Sequence, residues 1–114
     1  MSILQEINTD LKQAMREQDV LTRDTLRMLV AEIKRYEIDN KTSANEEDIL
    51  KIIKKMLKQR KDSIEQFTAG NRQDLADKEK AEIKVIDKYM PLLKQDLKNH
   101  HLQNLRPKFD VLTK

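Results

Sequence analysis

The chain contains no cysteine and no tryptophan, a single glycine, two prolines, and only two tyrosines and two phenylalanines among 114 residues. Without cysteine, disulfides, thiolate nucleophiles and cysteine-ligated zinc sites are excluded. One glycine rules out a glycine-rich phosphate cradle, and few turn-forming residues among many Lys, Glu, Gln and Leu favour long helices over sheets. With few aromatic rings, the core has to be thin and aliphatic. No apolar run approaches the length needed to span a bilayer. The N-terminus alternates polar and apolar residues and does not read as a secretory signal, which points to a cytoplasmic protein.

Charge is what the chain has in abundance. Charged residues make up 38%, with 23 Lys and Arg against 20 Asp and Glu, a formal net charge of +3 and a pI near 9.1. Mean hydropathy is -0.80, so folding depends on how the apolar residues are arranged rather than on their number.

Their arrangement is helical throughout. Ser2 and Gln5 form a capping box ahead of Ile3, Leu4, Ile7, Leu11, Ala14 and Met15, which predicts a helix from 3 to 16. Asp19 caps a second helix from 20 to 39, with a stripe through Leu21, Leu26, Leu29, Val30, Ile33 and Tyr36 or Glu37. The short link predicts antiparallel packing of the two. Ser43 and Glu46 read as a second capping box, opening a helix from 45 to 69 whose buried face is Ile49, Ile53, Met56, Leu57, Ile64 and Phe67. Gly70 is expected in the left-handed conformation after it. Asn71 is expected to cap a fourth helix to Tyr89, carrying Leu75, Ala76, Ile83, Ile86 and Met90, with Pro91 at its boundary. Leu92, Leu93, Leu97, Leu102 and Leu105 suggest one more short helix. The fold class is therefore all-α: an antiparallel bundle of two helical hairpins plus a short C-terminal helix.

The densest charge feature is KIIKKMLKQRK, residues 51 to 61. On a helix Lys51, Lys54, Lys55, Lys58 and Lys61 share one side, opposite Ile49, Ile53, Met56 and Ile64. A row of lysines tracks phosphates by releasing counterions. The plainer reading, a solvated helix face, is favoured by the row alone, since no aromatic residue is interleaved for base stacking. Arg60 differs, since it falls on the apolar stripe and a guanidinium there requires a partner. The turn at Gly70 and Asn71 brings it opposite Glu79 and Glu82, which predicts an inter-helix ion pair.

Between 72 and 88, Asp74, Asp77, Glu79, Glu82 and Asp87 alternate with Arg72, Lys78, Lys80, Lys84 and Lys88, as in surface pairing along a helix. His100 and His101 are adjacent and lack the i, i+4 spacing that places two ligands on one metal. No catalytic residue, metal ligand or cofactor site is read from the chain.

The motif KQRKDSI at 58 to 64, followed by Phe67, Arg72, Asp74, Leu75, Glu79, Glu82, Ile83, Val85, Ile86, Tyr89 and Pro91, resembles the signature of the GatB/YqeY family. Leu11 to Met15 and Leu26 to Leu29 are similar too. The resemblance implies an all-helical module over residues 1 to 91, like the tail of the B subunit of the glutamine-dependent amidotransferase that acts on mischarged Asp-tRNA and Glu-tRNA. There the tail is associated with tRNA, while the catalytic centres lie elsewhere. A family label of carbon–nitrogen ligase with glutamine as amide donor accompanies the resemblance, but the chain shows no ATP site and no glutaminase nucleophile. Residues 92–114 do not resemble the family's second helical domain and read as a short atypical helical tail. The expected function is a non-catalytic accessory module that touches tRNA, or a tRNA-modifying enzyme, through Lys51, Lys54, Lys55, Lys58 and Lys61. The alternative is a protein-interaction module, in its simplest form a homodimer held by Leu92, Leu93, Leu97 and Leu102.

Overall fold

The computed structural model describes residues 2–94, and these residues form four α-helices. They are α1 (Ile3–Glu17), α2 (Val20–Asn40), α3 (Glu46–Ala69) and α4 (Gln73–Asp87). Helix returns from residue 89 to 94, the last described. Leu97, Leu102 and Leu105 of the expected C-terminal helix, and His100 and His101, lie outside the described residues.

The helix starts are chemical. Ser2 accepts from the Gln5 backbone N–H at 3.2 Å while the Gln5 side chain accepts from the Ser2 N–H at 3.0 Å. Asp19 accepts from the Thr22 N–H. The third helix starts on a different box from the one expected. Asn45 and Asp48 satisfy each other's backbone N–H groups at 2.8 and 3.0 Å, two residues on from the Ser43 and Glu46 pairing. An Asn cap with an acid three residues on makes the same reciprocal bonds as a Ser/Glu box.

The helix ends depart from expectation in one consistent way. Gly70 has φ -88°, and it is Asn71 that takes φ 60°. The Arg72 N–H reaches the Phe67 carbonyl at 2.7 Å and the Asn71 N–H that of Thr68 at 3.2 Å, the bond pair of a Schellman turn. Asn71 is therefore occupied in closing α3 and does not cap α4, whose N-cap is Arg72 with no side-chain bond. The same turn closes α1 on Gln18 (φ 56°) and α2 on Lys41 (φ 52°).

At the other end of α4, Pro91 acts four residues upstream. Its ring and missing N–H break the bond to the carbonyl of Asp87, where α4 stops. Met90 is helical nonetheless, because Pro91 falls in the first turn of the next helical segment, where proline is tolerated.

Helix α1 packs on α2, α3 on α4, and α2 on α4, whereas α2 meets α3 only sparingly. The core joins Ile3 and Ile7 to Leu26, Leu29 and Ile33, to Ile49, Ile53, Met56 and Leu57, and to Ile86, Tyr89 and Leu93. Met15 and Leu21, both expected on buried stripes, are 49% and 36% exposed, because they sit at the α1–α2 turn beyond the reach of α3 and α4. Ile64, Phe67 and Leu75 are only half-buried, since α3 is 24 residues long and the distal part of the α3–α4 hairpin lies off the core. Leu93 is fully buried in the core, so it is not part of an open apolar surface, while Leu92 is 37% exposed.

Candidate nucleic-acid interface

Two opposite sides of α3 carry the charged residues singled out from the sequence. Arg60 lies on the inner side, its side chain 11% exposed. Its Nε is 3.9 Å from Glu79 Oε2, and one terminal nitrogen is 3.7 Å from Glu82 Oε2. The other terminal nitrogen donates to the Met56 carbonyl at 3.3 Å. The structure thus brings Arg60, Glu79 and Glu82 together across the α3–α4 interface, at ion-pair distance but beyond hydrogen-bonding reach. The Nε is buried with no hydrogen-bond acceptor. One guanidinium faces two carboxylates, and burial together with the charge of Glu82 pushes the Glu79 carboxyl up, against the pull of Arg60. This cluster fastens α4 to α3 and aims the opposite side of α3 outward.

On that outward side Lys51, Lys54, Lys55, Lys58 and Lys61 are all exposed. At 1.5 Å per residue the row spans about 15 Å, roughly the length of four to five nucleotides of a strand at about 3.4 Å each. Lys58 pairs with Asp62 at 3.3 Å, but both side chains are more than half exposed, so the pair is weak and readily exchanged for another anion.

Four polar contacts had no signal in the helical periodicity. The Tyr89 hydroxyl donates to Asp10 at 2.6 Å, and Lys88 reaches the same carboxylate at 2.9 Å, tying α1 to the segment after α4. Burial first, then the bond to Asp10, drives the Tyr89 phenol far above its usual range. The Tyr36 hydroxyl donates to Asp48 at 2.8 Å, joining α2 to the start of α3. That bond pushes the Tyr36 phenol up, while the Asn45 N–H and then Tyr36 hold the Asp48 carboxyl below its usual range. Glu37 accepts from the Ala44 N–H at 2.9 Å and closes the α2–α3 loop. Tyr36 was readable only as a stripe residue and Tyr89 only as a helix end and a residue of the family motif, and partners 12 and 79 positions away carry no periodic mark.

Among the described residues no group of three or more His, Asp or Glu is placed to hold a metal ion. No helix among them is long and apolar enough to cross a membrane.

The described residues form a small all-α bundle whose α3 and α4 are fastened by Arg60, Glu79 and Glu82. Residues 4–106 match the family described as Yqey-like protein, and the chain belongs to that family. Among curated proteins it is similar to proteins named "Altered inheritance of mitochondria protein 41, mitochondrial". The one from Vanderwaltozyma polyspora is 43% identical over 88 residues, covering 76% of this chain and 48% of the relative. That from Candida glabrata is 36% identical over 111 residues, covering 92% and 61%. That from Saccharomyces cerevisiae strain YJM789 is 38% identical over 104 residues, covering 90% and 56%. The chain thus spans about half to three-fifths of the length of these relatives. Their names overturn the expected cytoplasmic location. That expectation rested on the lack of a secretory signal and of a membrane-spanning run, and neither bears on import into an organelle.

Proposed function

We propose that this chain is a non-catalytic helical module that binds tRNA, or docks to a tRNA-modifying enzyme on its RNA, through the outer face of α3. The observation that carries this reading is the row of five exposed lysines on a helix whose opposite side is anchored by Arg60. Such a row contacts phosphates without reading bases, so it sets affinity and orientation rather than sequence choice. The relatives' names support a mitochondrial setting for the module.

The test is binding of bulk tRNA followed by fluorescence anisotropy at physiological salt. Micromolar binding that falls at least tenfold in Lys54→Glu/Lys58→Glu supports the reading. Equal binding by the double variant, or none by the wild type, rejects it.

A second reading, a protein-interaction module, draws on the exposed Met15, Val20, Leu21 and Met28 beside the α1–α2 turn. It predicts salt-insensitive self-association or partner binding that Leu21→Asp abolishes, read by sedimentation.

A further inference from the structure

The bundle is open between α2 and α3. Because α2 rests mainly on α1 and α4, its contact with α3 is short, and a half-open groove of about 550 Å³ lies between them. That volume is within the range of small-molecule sites, about 300–1,000 Å³. Its walls combine three chemistries. Tyr36 of α2 supplies a half-buried ring, and Ile52 of α3 an apolar surface beside it. Lys51 and Lys55 stand on the α3 rim, two of the five lysines of the outward row. Gln59 and Asp39 add an amide and a carboxylate at the edges.

The groove's acids and cations are not equally engaged. Asp48 accepts from the Tyr36 hydroxyl, which fixes the tyrosine ring in place, and from the Asn45 N–H. Glu32 sits 3.6 Å from Arg35. Lys51 and Lys55 are exposed and have no ion pair within 4.0 Å among the described residues, although the Lys51 charge also helps hold the Asp48 carboxyl down. A ring, an apolar floor and two exposed ammonium groups at one rim are the parts that grip an unstacked base and its phosphate. Read as sequence, the lysine row lacks an aromatic neighbour, and the fold supplies one from the adjacent helix.

We propose that this groove holds one nucleotide unit, its base against Tyr36 and Ile52 and its phosphate at Lys51 and Lys55. The proposal rests on the nucleic-acid reading of α3 and adds a point of base contact to an otherwise phosphate-only surface. A nucleotide within an RNA strand and a free mononucleotide share this chemistry.

The test uses the full chain and a short single-stranded RNA carrying one central 2-aminopurine, with the fold of each variant checked by circular dichroism. Binding of the wild type is expected to change the 2-aminopurine fluorescence. Tyr36→Ala should weaken binding about tenfold or more and remove that change, while Tyr36→Phe, which keeps the ring, should preserve both. Lys51→Ala/Lys55→Ala, confined to exposed positions, should weaken binding and reduce the change. Lys54→Ala/Lys61→Ala, away from the groove, should weaken binding and leave the change intact. Adenosine monophosphate that displaces the RNA more strongly than inorganic phosphate, in a Tyr36-dependent way, identifies a free nucleotide as a sufficient occupant. Displacement no better than by phosphate identifies the strand as the source. If Tyr36→Ala and Lys51→Ala/Lys55→Ala both bind and report like the wild type while Lys54→Glu/Lys58→Glu does not bind, the groove proposal fails and the α3 reading stands. No binding by the wild type overturns both.

Discussion

Arg60 was legible in the sequence because a charge on an apolar stripe contradicts its neighbours, and the turn ten residues on set which acids would face it. What periodicity does not contain is how well the three groups fit. Two carboxylates share one guanidinium at 3.7 and 3.9 Å, and the Nε is left without an acceptor. Removing the cation leaves two acids one turn apart on α4, facing α3 without a counter-charge. Arg60→Leu should therefore lower stability by roughly 3 kcal/mol, seen as a lower urea midpoint. Arg60→Leu/Glu79→Gln/Glu82→Leu should recover most of that loss. A single variant within experimental error of the wild type would mean the cluster contributes nothing.

Glu79 also sets a pH dependence. Its folded-state carboxyl is raised, chiefly by burial and by Glu82, so the native chain holds this proton more tightly than the unfolded one. Stability linked to it is therefore highest at low pH and falls as pH rises from the unfolded value, about 4.3, through the raised one. Glu79→Gln cannot titrate, so its stability relative to the wild type should increase between pH 4 and pH 7 in parallel urea titrations. A difference that is flat or declines with pH would contradict the assignment. Asp10 with Tyr89, in contrast, was invisible beforehand. Neither residue breaks a pattern, and they lie 79 positions apart.

At the scale of the elements, the four helices followed from apolar spacing and the caps Ser2 and Asp19 from N-terminal chemistry, whereas the caps expected at Ser43 and Asn71 fall instead on Asn45 and Arg72, so the errors gathered at the helix ends. The lone glycine drew the left-handed assignment because glycine alone adopts that region without cost. The Schellman turn instead places a neighbour there, and Gly70 keeps an ordinary backbone with only loose contacts around an added Cβ, 3.4 Å from the Gln66 carbonyl at the nearest. Gly70→Ala should consequently stabilise by about 0.4–1 kcal/mol by restricting the unfolded chain. Gln18→Gly and Lys41→Gly should each stabilise by up to about 1 kcal/mol, since an L side chain in the left-handed region costs about 1–2 kcal/mol, less what glycine loses in the unfolded chain. Thermal melts of the three variants check this. A lower midpoint for Gly70→Ala would return the left-handed role to residue 70. Pro91 taught the complementary lesson: its effect falls one turn upstream, at Asp87, and not at the residue immediately before it.

At the scale of the molecule, the fold class and the family were readable, the first from periodicity and the second from the KQRKDSI motif and its downstream residues, in agreement with the match over residues 4–106. The location was misread, because composition reports what a chain excludes and not where it is delivered. The groove between α2 and α3 was beyond reach, since it exists only because α2 leans on α4. The lysine row links these levels: Arg60, Glu79 and Glu82 hold one side of α3 inward, and the bundle thereby offers the other side as one continuous cationic strip.

The salt dependence of tRNA binding tests that link most directly. With up to five lysines engaged, the plot of log affinity against log salt should have a slope of about -4, and Lys54→Glu/Lys58→Glu should flatten it by about 2. A shallow slope in the wild type, or the same slope in the double variant, would show that the outer face of α3 is a solvated surface and not an RNA interface.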